Sequence, residues 1–528
     1  MVRRTLYERG LVAAFFLTLA VVGLLVYDEY GIAWDEPGLV HYGNLLLDHY
    51  APGGGWETFM SLRFYGPVGA LALALTDRLT GGPAFPAGHL TNFAFYFTAV
   101  AVFYALCRYQ FRDRMWGLLG AAFLVLSPRV FSHGFVNPKD VPLMTGFVVA
   151  VYLLVRFLDS GRRRWIVLCG VATAVATAVR VAGIFLVVLA IAAVAADLVA
   201  RRRRDPEWRS TVWTSAITLG LYVLVFTAGT IALWPFLWEN PVVRFYEAAK
   251  VMGNFLEGPS SVLHQGRILP ATEVPWHYLP VWMGVTTPPL YIGLTLVGIL
   301  SLRRPRRAFV ERTRDRFLFL YVCWAFLPLV AVAVAGSPLY DDSRMALFVY
   351  PAFLLLAVAG AREIARWVTR TRGRRPLADA AVGLLAASLL WTFGTTVRLH
   401  PYQTAYFNVL AGDAPQERFD VDYWGLSYRE ALERLLNLET GRVVLYVCSG
   451  PGRDNAELIE PERAERLQYV ETIADARYTL CAPRASLGAW DPGGEPLFTI
   501  ERDGIPLLFA HRLRPGYSLP RIRSSTVE

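Results

Sequence analysis

The chain has 528 residues, 55% of them hydrophobic, and a mean hydropathy of +0.37. So much apolar surface cannot be buried inside one soluble core, so we expect a large part of it to face lipid. The formal net charge is +9, but the basic residues lie between apolar runs and not on one face or tail, which excludes nucleic acid as an expected partner.

Apolar segments separated by charged loops predict a polytopic membrane protein that is all-α in its membrane part. Crossing a hydrocarbon layer of roughly 30 Å takes about 20 mainly apolar helical residues. No small-residue cleavage site follows the first run, so we predict an uncleaved first helix. The predicted spans, about 11 in all, are 11–27, 88–107, 115–128, 141–157, 165–179, 181–199, 212–234, 285–302, 317–336, 345–360 and 377–397.

Arginine clusters fall in alternate loops and predict the orientation. Basic loops next to spans favour the cytoplasmic side, so we expect the N-terminus to be cytoplasmic in an inner (plasma) membrane, multi-pass protein. The clusters are at 108–114, 156–164, 201–204, 303–316 and 362–375. The segments predicted to lie outside are 28–87, 129–140, the break near Arg180, 235–284, 337–344 and everything after 398.

The chain divides into a transmembrane body, 1–400, and a C-terminal extracytoplasmic α/β domain, 401–528. In the first outer loop, the apolar stretch 68–75 is too short to span and predicts an interfacial helix. The polar C-terminal region alternates apolar runs typical of strands with helical patterns. Its predicted strands are 442–449, 478–481 and 497–511, and its predicted helices are 428–436 and 461–469. Cys448 and Cys481 could pair if this region is extracytoplasmic.

The first outer loop carries an acidic pair, Asp35 and Glu36, close to the end of the first span. Carboxylates beside a bilayer are costly unless they are solvated, paired or functional. Either residue could also cap a helix that begins at Pro37. The two interpretations are compatible.

The second outer loop concentrates polar groups between two spans. It contains Arg129, His133, Lys139 and Asp140. We consider a polar cluster facing the first loop, although charged loop residues are usually solvated and Asp140 could cap a helix that opens with Pro142.

Two arginines stand in unusual places. Arg180 lies within an apolar stretch, where a guanidinium needs a carboxylate or a phosphate as partner. A carboxylate of another span is one alternative, and anion binding is the one we favour because the guanidinium fork matches phosphate oxygens. Arg344 is similar, with Asp341 or Asp342 as the alternative partner.

After the last span, Tyr402 opens a segment that could form an outer lid or serve as a linker. The turn at 449–455 lacks a phosphate-binding fingerprint and is interpreted as a turn. The aromatic residues of the long outer loop are interpreted first as an interfacial belt.

These motifs together resemble the C-type glycosyltransferase superfamily, in particular bacterial relatives of dolichyl-phosphate-mannose protein mannosyltransferase and of lipid A aminoarabinose transferase. The segments that carry the resemblance are the pair Asp35-Glu36, PKDVP, ATAVRVAG, PWHYLPVWMGVTTPP, and HPYQTAYFN with DYWGLSYREAL. The resemblance covers nearly the whole membrane body and the start of the outer domain.

The resemblance implies an inverting transfer of a sugar from a polyprenyl-phosphate carrier to an extracytoplasmic acceptor, which could be a lipid, a glycan or a protein. Asp35 would be the catalytic base with Glu36 beside it. The predicted substrate-binding residues are Lys139, Asp140, Arg180, Arg344 and Tyr402. We expect no cofactor and no obligatory metal, although two acids could bind a divalent cation. The partners expected are the lipid-linked sugar and membrane lipid.

Two alternatives remain at this stage. A multi-span protein with charged loops could be a transporter or flippase of a lipid-linked sugar, but such proteins usually show repeated halves and polar residues near the midplane, and we detect no repeat here. A catalytically inactive relative that binds lipid-linked sugar is the other.

Overall fold

The computed structural model describes most of the chain in defined elements. The described residues are 2–49, 61–81, 84–202, 206–254, 260–302, 316–370, 375–483 and 494–514. The residues outside them include 303–315 of the predicted basic cluster 303–316, parts of the basic clusters at 201–204 and 362–375, and residues 50–60 of the first outer loop.

Helices form the body of the protein, as predicted. In the first half they are α1 Val2–Val26, α2 Glu36–His49, α3 Val68–Thr80, α4 Ala84–Phe111, α5 Arg114–Val125, α6 Pro128–Val136, α7 Asp140–Ser160 and α8 Arg163–Thr177. In the second half they are α9 Phe185–Arg201, α10 Trp208–Leu233, α11 Pro241–Gly253, α12 Tyr278–Thr286, α13 Pro289–Ser301, α14 Arg316–Ala335, α15 Tyr350–Arg370 and α16 Arg375–Arg398. A short hairpin, β1 Ser261–His264 and β2 Arg267–Pro270, lies between α11 and α12.

Eight helices in the described part of the chain are long and apolar enough to cross a membrane, or nine if the bent pair α5 and α6 is one span. The polytopic class is therefore confirmed, whereas the predicted count of 11 is not. The predicted spans 165–179 and 285–302 correspond to the 15-residue helix α8 and the 13-residue helix α13. The predicted span 115–128 corresponds to α5, which meets α6 at an angle of 71°.

The prediction of a second outer loop at 129–140 is wrong, because residues 128–136 form helix α6. Pro128 follows Ser127 at the first helical position, where a proline ring favours helix initiation. Every residue of α6 is buried, including Arg129 and His133. The polar composition predicts solvent exposure, but Arg129 pairs with Asp342 and His133 lies within hydrogen-bond distance of Asn137 inside the protein.

The C-terminal domain is built on a five-stranded sheet with strand order β4-β3-β5-β7-β6. Strands β4, β3 and β5 are parallel, whereas β5, β7 and β6 are antiparallel. The elements are α17 Ser427–Leu438, β3 Val443–Val447, α18 Pro451–Asp454, α19 Pro461–Ala464, β4 Leu467–Tyr469, β5 Tyr478–Cys481, β6 Glu495–Arg502 and β7 Ile505–Arg512.

Most of the predicted elements of this domain are present, with two corrections. The stretch predicted as one strand at 497–511 is a hairpin that turns at Asp503 and Gly504, both with positive φ as a tight turn requires. The predicted helix 461–469 is only one turn long and is followed by β4, since the edge of the sheet is completed there by a strand. Cys448 and Cys481 form a disulfide.

Helices α13 and α15 pack with their backbones almost in contact at two glycines. A Cβ on Gly298 would lie 2.1 Å from the carbonyl oxygen of Leu356, and a Cβ on Gly360 would lie 1.9 Å from that of Leu294. Small residues allow such close approach between membrane helices. This contact fixes the position of α15, whose N-terminal end follows the loop that carries Arg344.

We predict that Gly298→Ala lowers the unfolding free energy by about 1–3 kcal/mol, because the added methyl group forces the two helices apart. Gly293→Ala in the same helix is the matched control, since a Cβ there has no atom within 4 Å. Thermal unfolding of the purified protein in detergent measures both effects. Equal stability of the two variants would contradict the close packing of α13 and α15.

Candidate active site

Eight charged side chains from four separate segments meet where α1 ends and α7 begins. We call this group the charge cluster. Its members are Asp35, Arg129, Lys139, Asp140, Arg180, Asp341, Asp342 and Arg344. Each carboxylate lies within 4.0 Å of a cationic nitrogen, so the structure brings together the predicted Asp35, Lys139, Asp140, Arg180 and Arg344.

Asp35 is the most exposed carboxylate of the charge cluster, with 18% of its side chain accessible. It lies between α1 and α2, where Lys139 Nζ is 2.6 Å and Arg344 Nη1 is 4.0 Å from its Oδ2 atom. Burial opposes ionisation of this carboxyl, but Lys139 and then Arg344 outweigh burial and lower its pKa below the ordinary value. Asp35 is therefore an ionised carboxylate that can still be reached from outside.

Glu36 points away from the charge cluster. It is the first residue of α2, and its carboxylate accepts a hydrogen bond of 2.7 Å from the backbone N–H of Ala33. His89 Nε2 lies 3.2 Å from the same carboxylate. Glu36 thus stabilises the turn that precedes α2, as a capping acid does. Of the acidic pair, only Asp35 contacts the cations of the charge cluster.

Asp140 connects the two arginines that were singled out in the sequence. Arg180 Nη1 lies 2.5 Å from Asp140 Oδ1, and Arg344 Nη1 lies 3.3 Å from Asp140 Oδ2. Asn137 donates a hydrogen bond of 2.9 Å to Asp140 Oδ2. Arg180 therefore has a carboxylate partner from another helix, which is the alternative that the sequence left open.

Arg344 has the local partner that the sequence suggested and further contacts. Its Nη2 lies 3.0 Å from Asp341 Oδ2, and its guanidinium stacks 4.7 Å from the ring centroid of Trp424. Both Asp341 and Asp342 have positive φ, 52° and 64°, which is uncommon for side-chain-bearing residues and costs backbone strain. The two consecutive residues turn their carboxylates toward different arginines.

Arg129 and Asp342 form a second buried pair. Arg129 Nη1 lies 2.7 Å from Asp342 Oδ2, and the Tyr423 hydroxyl donates a hydrogen bond of 2.5 Å to the same oxygen. Arg129 Nε donates to the backbone oxygen of Tyr406. Within the described part of the chain, Arg129 Nη2 and Arg344 Nε are buried without a hydrogen-bond partner. A buried unsatisfied donor costs about 1–3 kcal/mol, so both atoms are suited to receive an anion.

Tyr402 lies apart from the charge cluster. Its hydroxyl donates a hydrogen bond of 2.8 Å to Glu430, and the guanidinium of Arg502 lies 4.8 Å from its ring centroid. These contacts join the end of the membrane body to the C-terminal domain. Its predicted role in substrate binding remains a prediction.

The C-terminal domain holds the segment that leads to Asp35. The side chain of Asn455 accepts a hydrogen bond of 2.9 Å from Ile32 N and donates one of 3.0 Å to Ile32 O. Trp34 N donates to the backbone oxygen of Trp424. A Cβ on Gly31 would lie 2.5 Å from the backbone oxygen of Leu426, so only glycine fits this approach. The predicted turn at 449–455 is instead a helical turn that positions Asn455.

An apolar groove with a volume of 460 Å³ runs beside the charge cluster. Its walls come from α12, α13, α14 and α15, and only a small part of its lining is polar. Met283 and Tyr350 line both this groove and a small pocket that contains Arg129, Asp342 and Arg344. The groove therefore opens next to the two arginines that have spare donors.

Three residues of the site were missed or undervalued in the sequence. The sequence indicates Arg129 only as part of a polar loop, Asp342 only as an alternative partner of Arg344, and Asn455 only as the last residue of a turn. A buried arginine in an apolar context is a usable signal, and it applies to Arg129 once residues 128–136 are recognised as a helix. Asn455 carries no such signal, because its partner is 423 residues away.

Comparison with known proteins bears on the fold. The family model described as dolichyl-phosphate-mannose-protein mannosyltransferase matches residues 65–228. Among curated protein sequences, none matches the chain significantly.

The solved structures that resemble this chain include ArnT from Cupriavidus metallidurans in two states. The structure bound to undecaprenyl phosphate is 17% identical, covers 95% of this chain and 98% of that chain, and gives a TM-score of 0.52. The apo structure is 15% identical, covers 94% and 98%, and gives a TM-score of 0.51. The chain therefore shares the fold of ArnT over nearly its whole length.

Proposed function

We propose that this protein is an inverting glycosyltransferase that moves a sugar from a polyprenyl-phosphate carrier to a hydroxyl of an extracytoplasmic lipid, glycan or protein. The observation that carries the proposal is the accessible, ionised Asp35 among cations, beside an apolar groove. The match of residues 65–228 to a mannosyltransferase family model supports it. So does the undecaprenyl phosphate bound to the ArnT of similar fold.

The groove suits the isoprenoid chain of the carrier. It is apolar and lies between α12, α13 and the candidate membrane helices α14 and α15, so a hydrocarbon chain could leave the bilayer without contacting water. The carrier phosphate would then lie near Arg129 and Arg344. In the described part of the chain, Nη2 of Arg129 and Nε of Arg344 have no hydrogen-bond partner. Arg180 adds positive charge from beyond Asp140.

The chemistry requires one base and several cations. Sugar phosphates already have a good leaving group, so the departing phosphate needs charge stabilisation, which the arginines supply in a water-poor site. The acceptor hydroxyl must lose its proton as it attacks the anomeric carbon, and Asp35 is the carboxylate placed to take it. Attack from the face opposite the phosphate inverts the configuration.

Donor binding would also activate the base. Against the opposing effect of burial, Lys139 and Arg344 lower the pKa of Asp35, which makes it a weak base. A phosphate that competes for these cations would weaken their hold on the carboxylate, and the pKa of Asp35 would rise toward the range of an effective general base. Proton abstraction would thereby be coupled to occupancy by the donor.

We propose further that the charge cluster and the C-terminal domain face the extracytoplasmic side. The arginine clusters in alternate loops support this orientation through the positive-inside rule. The Cys448–Cys481 disulfide is consistent with it, because disulfides persist mainly outside the cytoplasm.

We predict that Asp35→Asn lowers turnover about 10²–10⁴-fold, because the amide keeps the size of the carboxylate but cannot accept the proton. Transfer from a polyprenyl-phosphate sugar to a hydroxyl acceptor measures the rate, and binding of the carrier measures the donor site. Asp28→Asn, in the same loop but exposed and outside the charge cluster, is the matched control. Retention of more than about a tenth of the wild-type rate by Asp35→Asn would refute Asp35 as the base.

We predict that Lys139→Met shifts the acidic limb of the kcat/KM profile to higher pH. Lys139 is the largest influence that lowers the pKa of Asp35, and without it burial raises that pKa, so the base form is lost at a higher pH as the solution is acidified. Lys250→Met removes the other lysine of the chain, which is exposed on α11, and should leave the limb unchanged. A shift to lower pH, or none, would contradict the assignment.

We predict that Arg344→Lys weakens polyprenyl-phosphate binding about tenfold or more, because lysine keeps the charge opposite Asp140 and Asp341 but lacks the spare Nε donor. Arg180→Lys is the matched control. It should have a smaller effect, because no nitrogen of Arg180 is among the buried atoms that lack a partner in the described part of the chain. Equal weakening by the two variants would place Arg180 in direct contact with the phosphate. Unchanged binding in Arg344→Lys would favour a purely structural role for these arginines.

A further inference from the structure

A second cavity, at the opposite end of the membrane bundle, has a strongly basic lining. Its volume is 510 Å³, and it lies between the N-terminal part of α1, the ends of α4 and α7, and the start of α5. Its charged lining residues are Glu8, Arg108, Arg112, Asp113, Arg114 and Arg156. From Glu8 to the end of α1 at Val26 the helix rises about 27 Å, so this cavity is a separate site from the charge cluster.

The two acids of this cavity are already engaged. Glu8 lies 3.6 Å from Arg114. Asp113 is the N-cap of α5 and accepts hydrogen bonds from the backbone N–H groups of Met115 and Trp116 at 2.7 and 3.2 Å. Their negative charge is therefore already directed at groups of the protein.

Three arginines of the lining keep their charge available. Within the described part of the chain, Arg108, Arg112 and Arg156 have no carboxylate within salt-bridge distance. Arg156 is held in place by aromatic rings, with its guanidinium 4.2 Å from the Trp165 centroid and its Nη1 donating a hydrogen bond of 2.6 Å to the Tyr152 hydroxyl. Several guanidinium groups on one concave surface are suited to phosphate oxygens.

The depth of these residues favours a lipid over a dissolved anion. Arg108 and Arg156 each lie about one helical turn inside the end of a candidate membrane span, Phe85–Phe111 and Asp140–Ser160. Glu8 lies at the same depth in the span Thr5–Val26. This level of a bilayer holds the phosphates of the lipid headgroups, and tyrosine and tryptophan rings such as those around Arg156 prefer it too.

We propose that this cavity binds the phosphate headgroup of an anionic membrane lipid of the phosphatidylglycerol type. The site is independent of the proposed glycosyl transfer and concerns the other leaflet of the membrane. Basic pockets between membrane helices are a recurrent means of holding such headgroups. Arginines that serve only to set the membrane topology of the chain would not need to line one cavity. A binding site can therefore be distinguished from diffuse positive charge by experiment.

The test uses the full-length protein, delipidated in detergent, with native mass spectrometry to measure bound phosphatidylglycerol and phosphatidylethanolamine. The double variant Arg108→Gln/Arg112→Gln removes two exposed arginines that have no carboxylate partner in the described chain. We expect its affinity for phosphatidylglycerol to fall by more than about tenfold, since each cation at a membrane surface contributes about a fivefold change. Binding of phosphatidylethanolamine should not change.

Arg163→Gln is the matched control, because it removes an exposed arginine at the same end of the bundle but outside the cavity. It should retain the wild-type preference for phosphatidylglycerol. Equal losses in the control and the double variant would overturn the proposal in favour of a diffuse surface charge. Tighter binding of soluble glycerol phosphate than of the lipid would overturn the lipid as the source of the phosphate. If the double variant unfolds, Arg112→Gln alone should still reduce lipid affinity about fivefold.

Discussion

The buried carboxylate of Asp140 is the group on which the rest of the site depends. It is 1% exposed and lies within reach of Arg180 on one side and Arg344 on the other. Removing one partner of a buried ion pair typically lowers the folding stability by about 3–5 kcal/mol, because water cannot solvate the charge that is left behind. Asp140 therefore ties the start of α7 to the break before α9 and to the loop before α15. The adjacent Lys139, at the start of the same helix, reaches Asp35.

The C-terminal domain completes this arrangement from the other side. The segment that leads to Asp35 has little regular structure, so its backbone groups need hydrogen-bond partners outside a helix or sheet. Asn455 satisfies both backbone groups of Ile32, and Trp424 accepts a hydrogen bond from Trp34 while its ring stacks on Arg344. The domain thus restrains the position of Asp35 relative to the cations. The sequence of the C-terminal domain indicated only its α/β class, whereas the structure shows that this domain positions the segment that carries Asp35.

The two ends of the bundle present arginines in different electrostatic settings. In the charge cluster, equal numbers of cations and carboxylates are paired and largely buried, so a phosphate bound there would have to compete with Asp35, Asp140 and Asp341 for its contacts. In the basic cavity, Arg108 and Arg112 are exposed and have no carboxylate of the described chain within salt-bridge distance. Competition would make the first site responsive to a bound phosphate, whereas the excess of positive charge in the second would suit steady retention of an anion.

The sequence by itself determined the membrane class, the strands around Cys448 and Cys481, and the need of Arg180 for an anionic partner, because hydropathy, alternation and the cost of a buried charge are local properties. Tertiary structure decided which partner each charge found. Asp140 lies 40 residues from Arg180, and no local pattern specifies that pairing. It also made a buried helix of a segment that contains Arg129, because Asp342, 213 residues away, supplies the countercharge that water would otherwise have provided.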